Sequence, residues 1–445
     1  MNPGRRLLLS MCCATLAGAC ATVRGLTGSP GGATSRGMWV WSSADLLGRP
    51  ETWNGLFDFS RRHRITSLWM QVTTARAGGE SAGAFRLEVS RAAGWRAFIA
   101  AAHGRGLRVE ALDGDPTYAD AAFHYVPLAI ADAVLAFNEA SAPGMRFDGL
   151  HFDNEPYLLP GWHDPESREQ LLRDYLVLND EVQRRVAAAR PMTYGVDMPF
   201  WWSVAGDASG EAVAAVTYDG IRQSAAAHTL RRVDSVTVMD YRNTTSGPDG
   251  LVALASPLLA DAARARHAEV RVGVETRRFS QAAVWFVAGP PAAESRGMLG
   301  RTWRQRYPGD PFRLQSIHDG ERIHLGVTIP AEDIGGAAPP DLVRIARDFG
   351  SALAEPAAGL PAAALAQSGE WADVRPAPIA DPDTGRRYSG FLATNVPQAK
   401  LTFATRPGAF QQETSAADRA FRQFASYRGM AFHDYDGLRA LTSAR

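Results

Sequence analysis

Between Phe147 and Tyr157 the chain reads Phe-Asp-Gly-Leu-His-Phe-Asp-Asn-Glu-Pro-Tyr, an apolar strand pattern that ends in acid. Side chains alternate faces along a strand, so His151, Asp153 and Glu155 share one face while Leu150 and Phe152 take the other. Taking carboxylates out of water is expensive, and a folded domain sets two of them side by side only where a metal, a partner or a chemical task uses them. Proton transfer is one such task. A carboxyl whose pKa is raised by burial and by a neighbouring negative charge keeps a proton at neutral pH and can donate it as a bond breaks. Glu155 is the candidate donor, with Asp153 and His151 tuning it.

The elements that must position this stretch follow from periodicity. Short apolar runs alternate with amphipathic helical stretches, the pattern of a parallel sheet built from βα units. Eight strands are expected: Gly37 to Trp41, Ser67 to Val72, Arg108 to Leu112, Phe147 to Asp153, Met192 to Met198, Val233 to Met239, Val270 to Val274, and Gly429 to Phe432. Ser90 is expected to cap a helix from Arg91 to His103, and Asp164-Pro165 to open a long one reaching Arg190. Further helices are expected from near Leu251 to His267 and from Ala416 to Ala425. Eight such units predict an α/β fold, a closed (β/α)8 TIM barrel rather than an open doubly wound sheet, and no glycine-rich phosphate loop follows the first strand.

In such a barrel the site lies at the C-terminal ends of the strands. Those ends bring Trp39 and Trp41, Gln71, Glu110 with Asp113 and Asp115, the acidic stretch itself, Asp197 with Phe200, Trp201 and Trp202, then Asp240, Tyr241 and Arg242, Glu275, and His433 with Tyr435. Aromatic rings stack on the apolar faces of sugars while carboxylates and amides take the hydroxyls, so the inventory suits a carbohydrate cleft. Trp41, Tyr157, Trp201 and Trp202 are the expected platforms, and His151, Asp197, Arg242 and His433 the remaining substrate-binding residues. The bland alternative for Glu275 is an ion pair with Arg242 or Arg277.

Two resemblances meet at the fourth strand. Asp148-Gly-Leu-His151-Phe-Asp153-Asn-Glu155 resembles the Asp-Gly-x-Asp-x-Asp-x-Glu signature of family 18 chitinase-type hydrolases, and Met239-Asp240-Tyr241 resembles their sixth-strand Met-x-Tyr. His151 stands where that family has its first inner Asp. Asn154-Glu155-Pro156 also resembles the fourth-strand Asn-Glu-Pro of the clan A retaining glycosidases, with Gly273-Val-Glu275-Thr where that clan keeps its nucleophile. By strand parity Asn154 faces outward unless a bulge turns it. Both resemblances imply a glycoside hydrolase barrel, over roughly 37–276 and 399–445, and both imply Glu155 as the acid. The clan A likeness makes Glu275 the nucleophile, with carboxyls about 5 to 5.5 Å apart for a retaining mechanism. The chitinase likeness has the substrate's own acetamido group attack, with Asp153 orienting it, Tyr241 assisting and no required role for Glu275. The Glu155 and Glu275 pair is the preferred reading, with Asp153 and Tyr241 in support.

Beyond the barrel, residues 277–398 exceed what one βα unit needs and are rich in Pro, Gly and Ala, which predicts a small α+β insertion between strands seven and eight, over the barrel mouth. Phe312 to Ile329 alternates around Asp319-Gly320, a hairpin signal, and Asp341 to Leu353 reads as helix. Residues 399–445 complete the barrel. At the other end, Arg5 and Arg6 precede an apolar run from Leu7 to Ala19, the layout of a secretory signal and too short to span a membrane. Leu16-Ala-Gly-Ala-Cys20 resembles a bacterial lipobox with Cys20 as the lipidated residue, ordinary signal cleavage being the rival, and 21–36 reads as a flexible tether.

The chain has 445 residues, 46% of them hydrophobic, and a formal net charge of +0, so nothing in its composition suggests disorder or an electrostatic grip on nucleic acid or anionic lipid. Cys12, Cys13 and Cys20 are the three cysteines and all lie in the leader, so the folded part is expected to hold no disulfide and no thiol metal site. The expectation is an exported, envelope-anchored or periplasmic monomer that acts on carbohydrate without a cofactor or metal. Two other classes stay open. A divalent metal could sit on His151, Asp153, Glu155 and His433, and an envelope lectin could keep the barrel without turnover.

Overall fold

The computed structural model describes residues 35–77, 85–206, 210–279, 282–287, 313–319, 322–330, 371–376, 379–385, 387–388 and 390–443. Cys20, the lipobox, most of the tether and the helix expected over 341–353 lie outside them. The chain divides into two compact units, one holding Thr22–Arg277 with Thr402–Arg445 and the other holding Arg278–Leu401.

The first unit is a closed barrel of eight parallel strands. They are β1 (Arg36–Val40), β2 (Ile65–Gln71), β3 (Arg108–Asp113), β4 (Gly149–Phe152), β5 (Thr193–Pro199), β6 (Ser235–Met239), β7 (Glu269–Glu275) and β8 (Tyr427–His433). Each pairs with its successor, and β8 returns to β1 through Gly37↔Ala431 and Met38↔Phe432. All eight expected strands are present. Their outward side chains, among them Met38, Leu68, Val109, Leu150, Val196 and Val272, are buried in one continuous core with the apolar faces of the surrounding helices. Burial on both faces is why these strands read as apolar runs in the sequence.

The helices lie close to expectation at their centres and depart at their ends. Asp164 accepts a hydrogen bond from the Ser167 N–H at 2.8 Å, so the long helix begins at Pro165 and runs to Ala187, ending before Arg190. The helix after β2 starts at Ala92, not Arg91, because Arg91 is left-handed (φ 54°) and no side chain caps it; Ser90 does not serve as its cap. The last inter-strand helix begins earlier than Ala416, spanning Phe410–Phe421.

Inside the barrel the packing depends on glycine. Trp39, Trp69, Leu112 and Ala431 form a separate buried cluster within the strand cylinder. A Cβ on Gly37 would lie 2.3 Å from the Trp69 ring, and one on Gly195 would lie 2.4 Å from Ser235 Oγ and 2.7 Å from His151 Nδ1. Two indoles and an imidazole fit in the cylinder because neighbouring strands present no side chain there.

The second unit contains an antiparallel sheet in the order Arg313–Asp319, Arg322–Pro330, Ala282–Val287, Gly390–Thr394, Asp373–Pro376. Its first two strands are the hairpin expected around Asp319-Gly320, with Asp319 opposite Arg322.

Candidate active site

β4 ends at Phe152, and the chain stays paired with β3 for one more step, the Asp153 N–H donating to the Asp113 carbonyl at 2.9 Å. His151 is level with Gly195 and Phe152 with Val196 on β5, so the next inward pair, Asp153 and Asp197, sit level on adjacent strands. The pairing of β4 runs without a register shift as far as Phe152, and beyond it the buried Asn154 amide atoms have no hydrogen-bond partner.

Beneath the acidic stretch lies a polar stack within the barrel. His151 and Asp197 are both 0% exposed. His151 Nε2 is 2.8 Å from Asp197 Oδ1, and the Trp39 indole donates to Asp197 Oδ2 at 2.8 Å. On its other side the His151 ring lies 4.8 Å from the Trp69 ring, and Nδ1 is 4.0 Å from Glu110 Oε2, which accepts the Trp69 indole N–H at 3.2 Å. Residues expected to touch substrate here are instead sealed inside. His151 and Asp197 are therefore corrected from substrate-binding residues to supports of the layer above them.

That layer holds Asp153 and Glu155, both partly buried. Burial pushes the Glu155 pKa up; a hydrogen bond from the Tyr157 hydroxyl to Oε1 and the nearby His433 act against the rise, and Asp197 adds to it. Burial likewise pushes Asp153 well above the usual carboxylate range, with Asp197 and then Glu155 reinforcing it. Asp153 Oδ1 is buried and has no hydrogen-bond partner. Like charges this close disfavour ionisation of all three carboxyls together.

Across the barrel, Glu275 ends β7 with both oxygens engaged. Oε1 accepts the N–H groups of Thr276 at 2.8 Å and Arg277 at 2.7 Å, and Oε2 is 2.9 Å from His433 Nδ1. The Trp41 indole donates to His433 Nε2 at 3.0 Å. An indole N–H can only donate, so this bond requires Nε2 to be unprotonated and puts the imidazole proton on Nδ1, facing Glu275. Burial acts to lower the His433 pKa, and Glu275 together with Asp434 and Asp197 turns this into a net rise, yet protonation at Nε2 would break the Trp41 bond. The His433 side chain is 20% exposed and that of Glu275 only 4%. Neither arginine pairs with Glu275: Arg277 reaches Asp434 at 3.2 Å and Arg242 reaches Asp249 at 2.8 Å.

Tyr241 follows β6 with its ring centroid 5.9 Å from that of His433. Burial first, then Glu275, Asp153, Glu155 and Asp197, push its hydroxyl pKa well up, so it remains a donor among carboxyls. Of the expected platforms, Trp41 and Trp201 are partly exposed, and Tyr157, Trp162 and Trp201 form an edge-on cluster with centroids 5.2 to 6.2 Å apart. Trp202 is not a platform. It is 0% exposed and packs edge-on against Tyr175 at 5.2 Å, because the 3-10 turn Phe200–Ser203 directs adjacent tryptophans to opposite sides. Arg242 is also corrected: 8% exposed, it is bonded to Asp249 and to the Tyr241 carbonyl and lies over the Phe200 ring, bracing the loop after β6. Sequence reading brought Asp113 to the strand ends but missed Trp162 and Tyr118, the partner of Asp113. Burial raises the Asp113 pKa to about 6 despite hydrogen bonds from the Tyr118 hydroxyl (3.1 Å) and the Gly114 N–H. The Asp-x-x-x-x-Tyr spacing at the end of β3 is the signal that could have found them.

Among the described residues no group of three or more His, Cys, Asp or Glu is placed to hold a metal ion, and no helix is long and apolar enough to cross a membrane. No family model matches the chain, and no curated protein matches it. Solved structures do. One is the C-terminal domain of a provisionally named chitinase from Desulfitobacterium hafniense DCB-2, at 11% identity, covering 93% of this chain and 99% of that one with a TM-score of 0.44. Another is a chitinase from Bacteroides thetaiotaomicron at 11% identity, covering 91% and 90%, TM-score 0.40. A third is YKL-39 solved with chitooligosaccharides, at 9% identity, covering 91% and 93%, TM-score 0.41. Similarity at this distance carries nothing about chemistry, which has to come from the side chains.

Proposed function

We propose that this protein is a glycoside hydrolase in which Glu155 gives a proton to the leaving glycosidic oxygen. The observation that carries the reading is the Asp153 and Glu155 pair at the end of β4, two nearby carboxyls whose pKa values burial first and then Asp197 push up at the mouth of a barrel. A glycosidase needs such a protonated carboxyl and a second group to stabilise the oxocarbenium centre. Trp41, Tyr157 and Trp201 supply rings against which a sugar can stack.

The second group is better supplied by the substrate than by Glu275. Both Glu275 oxygens already accept hydrogen bonds, three in all, and its side chain is 4% exposed. Asp153 keeps an oxygen without a partner. In the course we favour, the carbonyl oxygen of an N-acetyl group on the substrate attacks the anomeric carbon as the bond to the leaving oxygen breaks. Glu155 protonates that oxygen, Asp153 accepts the acetamido N–H, and the Tyr241 hydroxyl donates to the developing ring. Water then attacks the anomeric carbon and opens the cyclic intermediate, giving up a proton to the Glu155 carboxylate. A second reading has Glu275 attack directly; it is favoured by the two backbone N–H groups and His433, which fix the orientation of that carboxyl at the end of β7.

The basic and apolar leader with its lipobox-like Cys20 supports export to the envelope of a bacterial cell, and the substrate is a carbohydrate chain, without nucleic acid. The test is hydrolysis of an N-acetylated β-glycan and its de-N-acetylated counterpart, followed by mass spectrometry after a 2-deoxy-2-fluoro glycosyl fluoride. Cleavage of the acetylated chain alone, with no label, supports the favoured course. Label on Glu275 establishes the second, and binding without cleavage of either chain overturns both in favour of a lectin.

A further inference from the structure

The residue that departs from the family pattern, His151, is not idle, and its partners give it a task. It is fully buried, its Nε2 lies 2.8 Å from Asp197 Oδ1, and the other Asp197 oxygen takes the Trp39 indole N–H at 2.8 Å. These two bonds are what accommodate a carboxyl that is 0% exposed in the middle of a barrel. The room for this arrangement is cut by Gly195, where a Cβ would collide with His151 Nδ1 and with Ser235 Oγ. The register then sets Asp197 level with Asp153 on the neighbouring strand, and Asp153 is two residues from Glu155.

We propose that His151, Trp39 and Asp197 form a positioning unit that fixes one negative charge beside Asp153 and so decides that the proton of the upper layer stays on the Asp153 and Glu155 pair. The inference rests on the reading of Glu155 as proton donor. Two N–H donors, the His151 imidazole and the Trp39 indole, are aimed at the two oxygens and hold the Asp197 carboxyl in one orientation where it is 0% exposed. The cost of a charge there is met by those bonds, and its field falls on the two carboxyls above. In a chain with an acid at position 151, that charge would come from β4 itself. Here it comes from β5, with histidine as the link.

The groups that face the unit are few. Around Asp197 are His151, Asp153 and Glu155 from the β4 stretch, Tyr157 just after it, Trp39 from β1, His433 from β8, Tyr241 after β6 and Tyr175 from the long helix. His151 faces Glu110 on β3, whose charge is partly offset by Arg108 at 3.7 Å and by Arg271 on β7. Asp197 is thus held by two side-chain N–H groups, one on each oxygen, and acts electrostatically on both Asp153 and Glu155 above it.

Infrared difference spectroscopy on the full chain tests this directly. The carboxylic acid band that is lost on E155Q reports protonated Glu155, and its intensity is titrated with pH. In D197N that midpoint falls by about one pH unit, since one nearby negative charge is gone. H151L leaves Asp197 one donor short, so its carboxyl is no longer held beside Asp153 and the midpoint falls by a similar amount; H151Q, which restores an N–H donor, brings it back toward wild type. The alkaline limb of kcat/KM, where activity is found, moves with the band. An unmoved midpoint in folded D197N overturns the proposal, as does a fall in H151L that H151Q does not reverse. If H151L fails to fold, W39F removes the other donor with the ring kept, and it too must lower the midpoint. The band titrates whether or not any glycan is cleaved, so failure of the catalytic reading and failure of this unit give different results.

Discussion

Removing the Tyr157 hydroxyl isolates one term in the tuning of Glu155. That hydroxyl donates to Glu155 Oε1 and is among the groups holding its pKa down against burial. A hydrogen bond to a charged group contributes about 1.5 to 3 kcal/mol, and one pKa unit corresponds to about 1.4 kcal/mol, so full loss would raise the midpoint by about 1 to 2 units. Glu155 is only partly buried, and water can replace some of the lost bond, so the lower end applies. Tyr157→Phe keeps the ring and its edge contact with Trp201 at 5.2 Å. A general acid works in its protonated form, so a raised pKa carries the alkaline limb of the kcat/KM profile upward by about one pH unit. The assay is initial rate on a soluble N-acetylated oligosaccharide across the pH range, with thermal midpoints to confirm folding. A limb that stays in place, or moves down, refutes the electrostatic account of Glu155 even if activity is lost.

Other outcomes follow from the same geometry. Asp240 is fully buried with both carboxyl oxygens unpartnered, and burial raises its pKa well above the usual range. The folded chain therefore binds a proton there that the unfolded chain releases above about pH 4, so this site favours folding below that pH and loses its contribution as pH rises. Asp240→Asn removes the loss, and its denaturation midpoint should exceed wild type by a margin that grows from pH 4 to pH 7; no growth with pH contradicts the assignment. The adjacent tryptophans separate by function: Trp202→Ala should destabilise by about 3 to 5 kcal/mol in urea melts, as a lost core aromatic does, while Trp201→Ala leaves stability nearly intact and raises KM for oligosaccharide. Gly195→Ala forces a methyl against His151 and Ser235 and should destabilise by about 1 to 3 kcal/mol, with near-wild-type stability counting against the packing described.

The eight strands were legible because each is buried on both faces and so carries an unbroken apolar run, and the acidic end of β4 was legible because polar side chains interrupt that run with a period of two. Partner choice was not. Trp39 and Asp197 are 158 residues apart, and Trp41 and His433 are 392 apart; only closure of the barrel brings them together. For the same reason Asp197 and His151 read as cleft residues when they are floor, since strand parity gives the face but not the depth. Trp201 and Trp202 are neighbours whose fates are set by one 3-10 turn. Ser90 failed as a cap because Arg91 takes a left-handed conformation that starts the helix one residue later. Arg242 looked like a ligand for sugar or carboxylate because its partner, Asp249, comes from the following loop.

The central claim is that Glu155 supplies the proton. Rates on an N-acetylated glycan carrying a poor leaving group, and on the same glycan carrying an activated aryl leaving group, should be compared in wild type and Glu155→Gln. The account predicts loss of about two orders of magnitude or more on the poor leaving group and a much smaller loss on the activated one, which needs no proton to depart. Equal loss on both, or full activity of the variant on the poor leaving group, would contradict it.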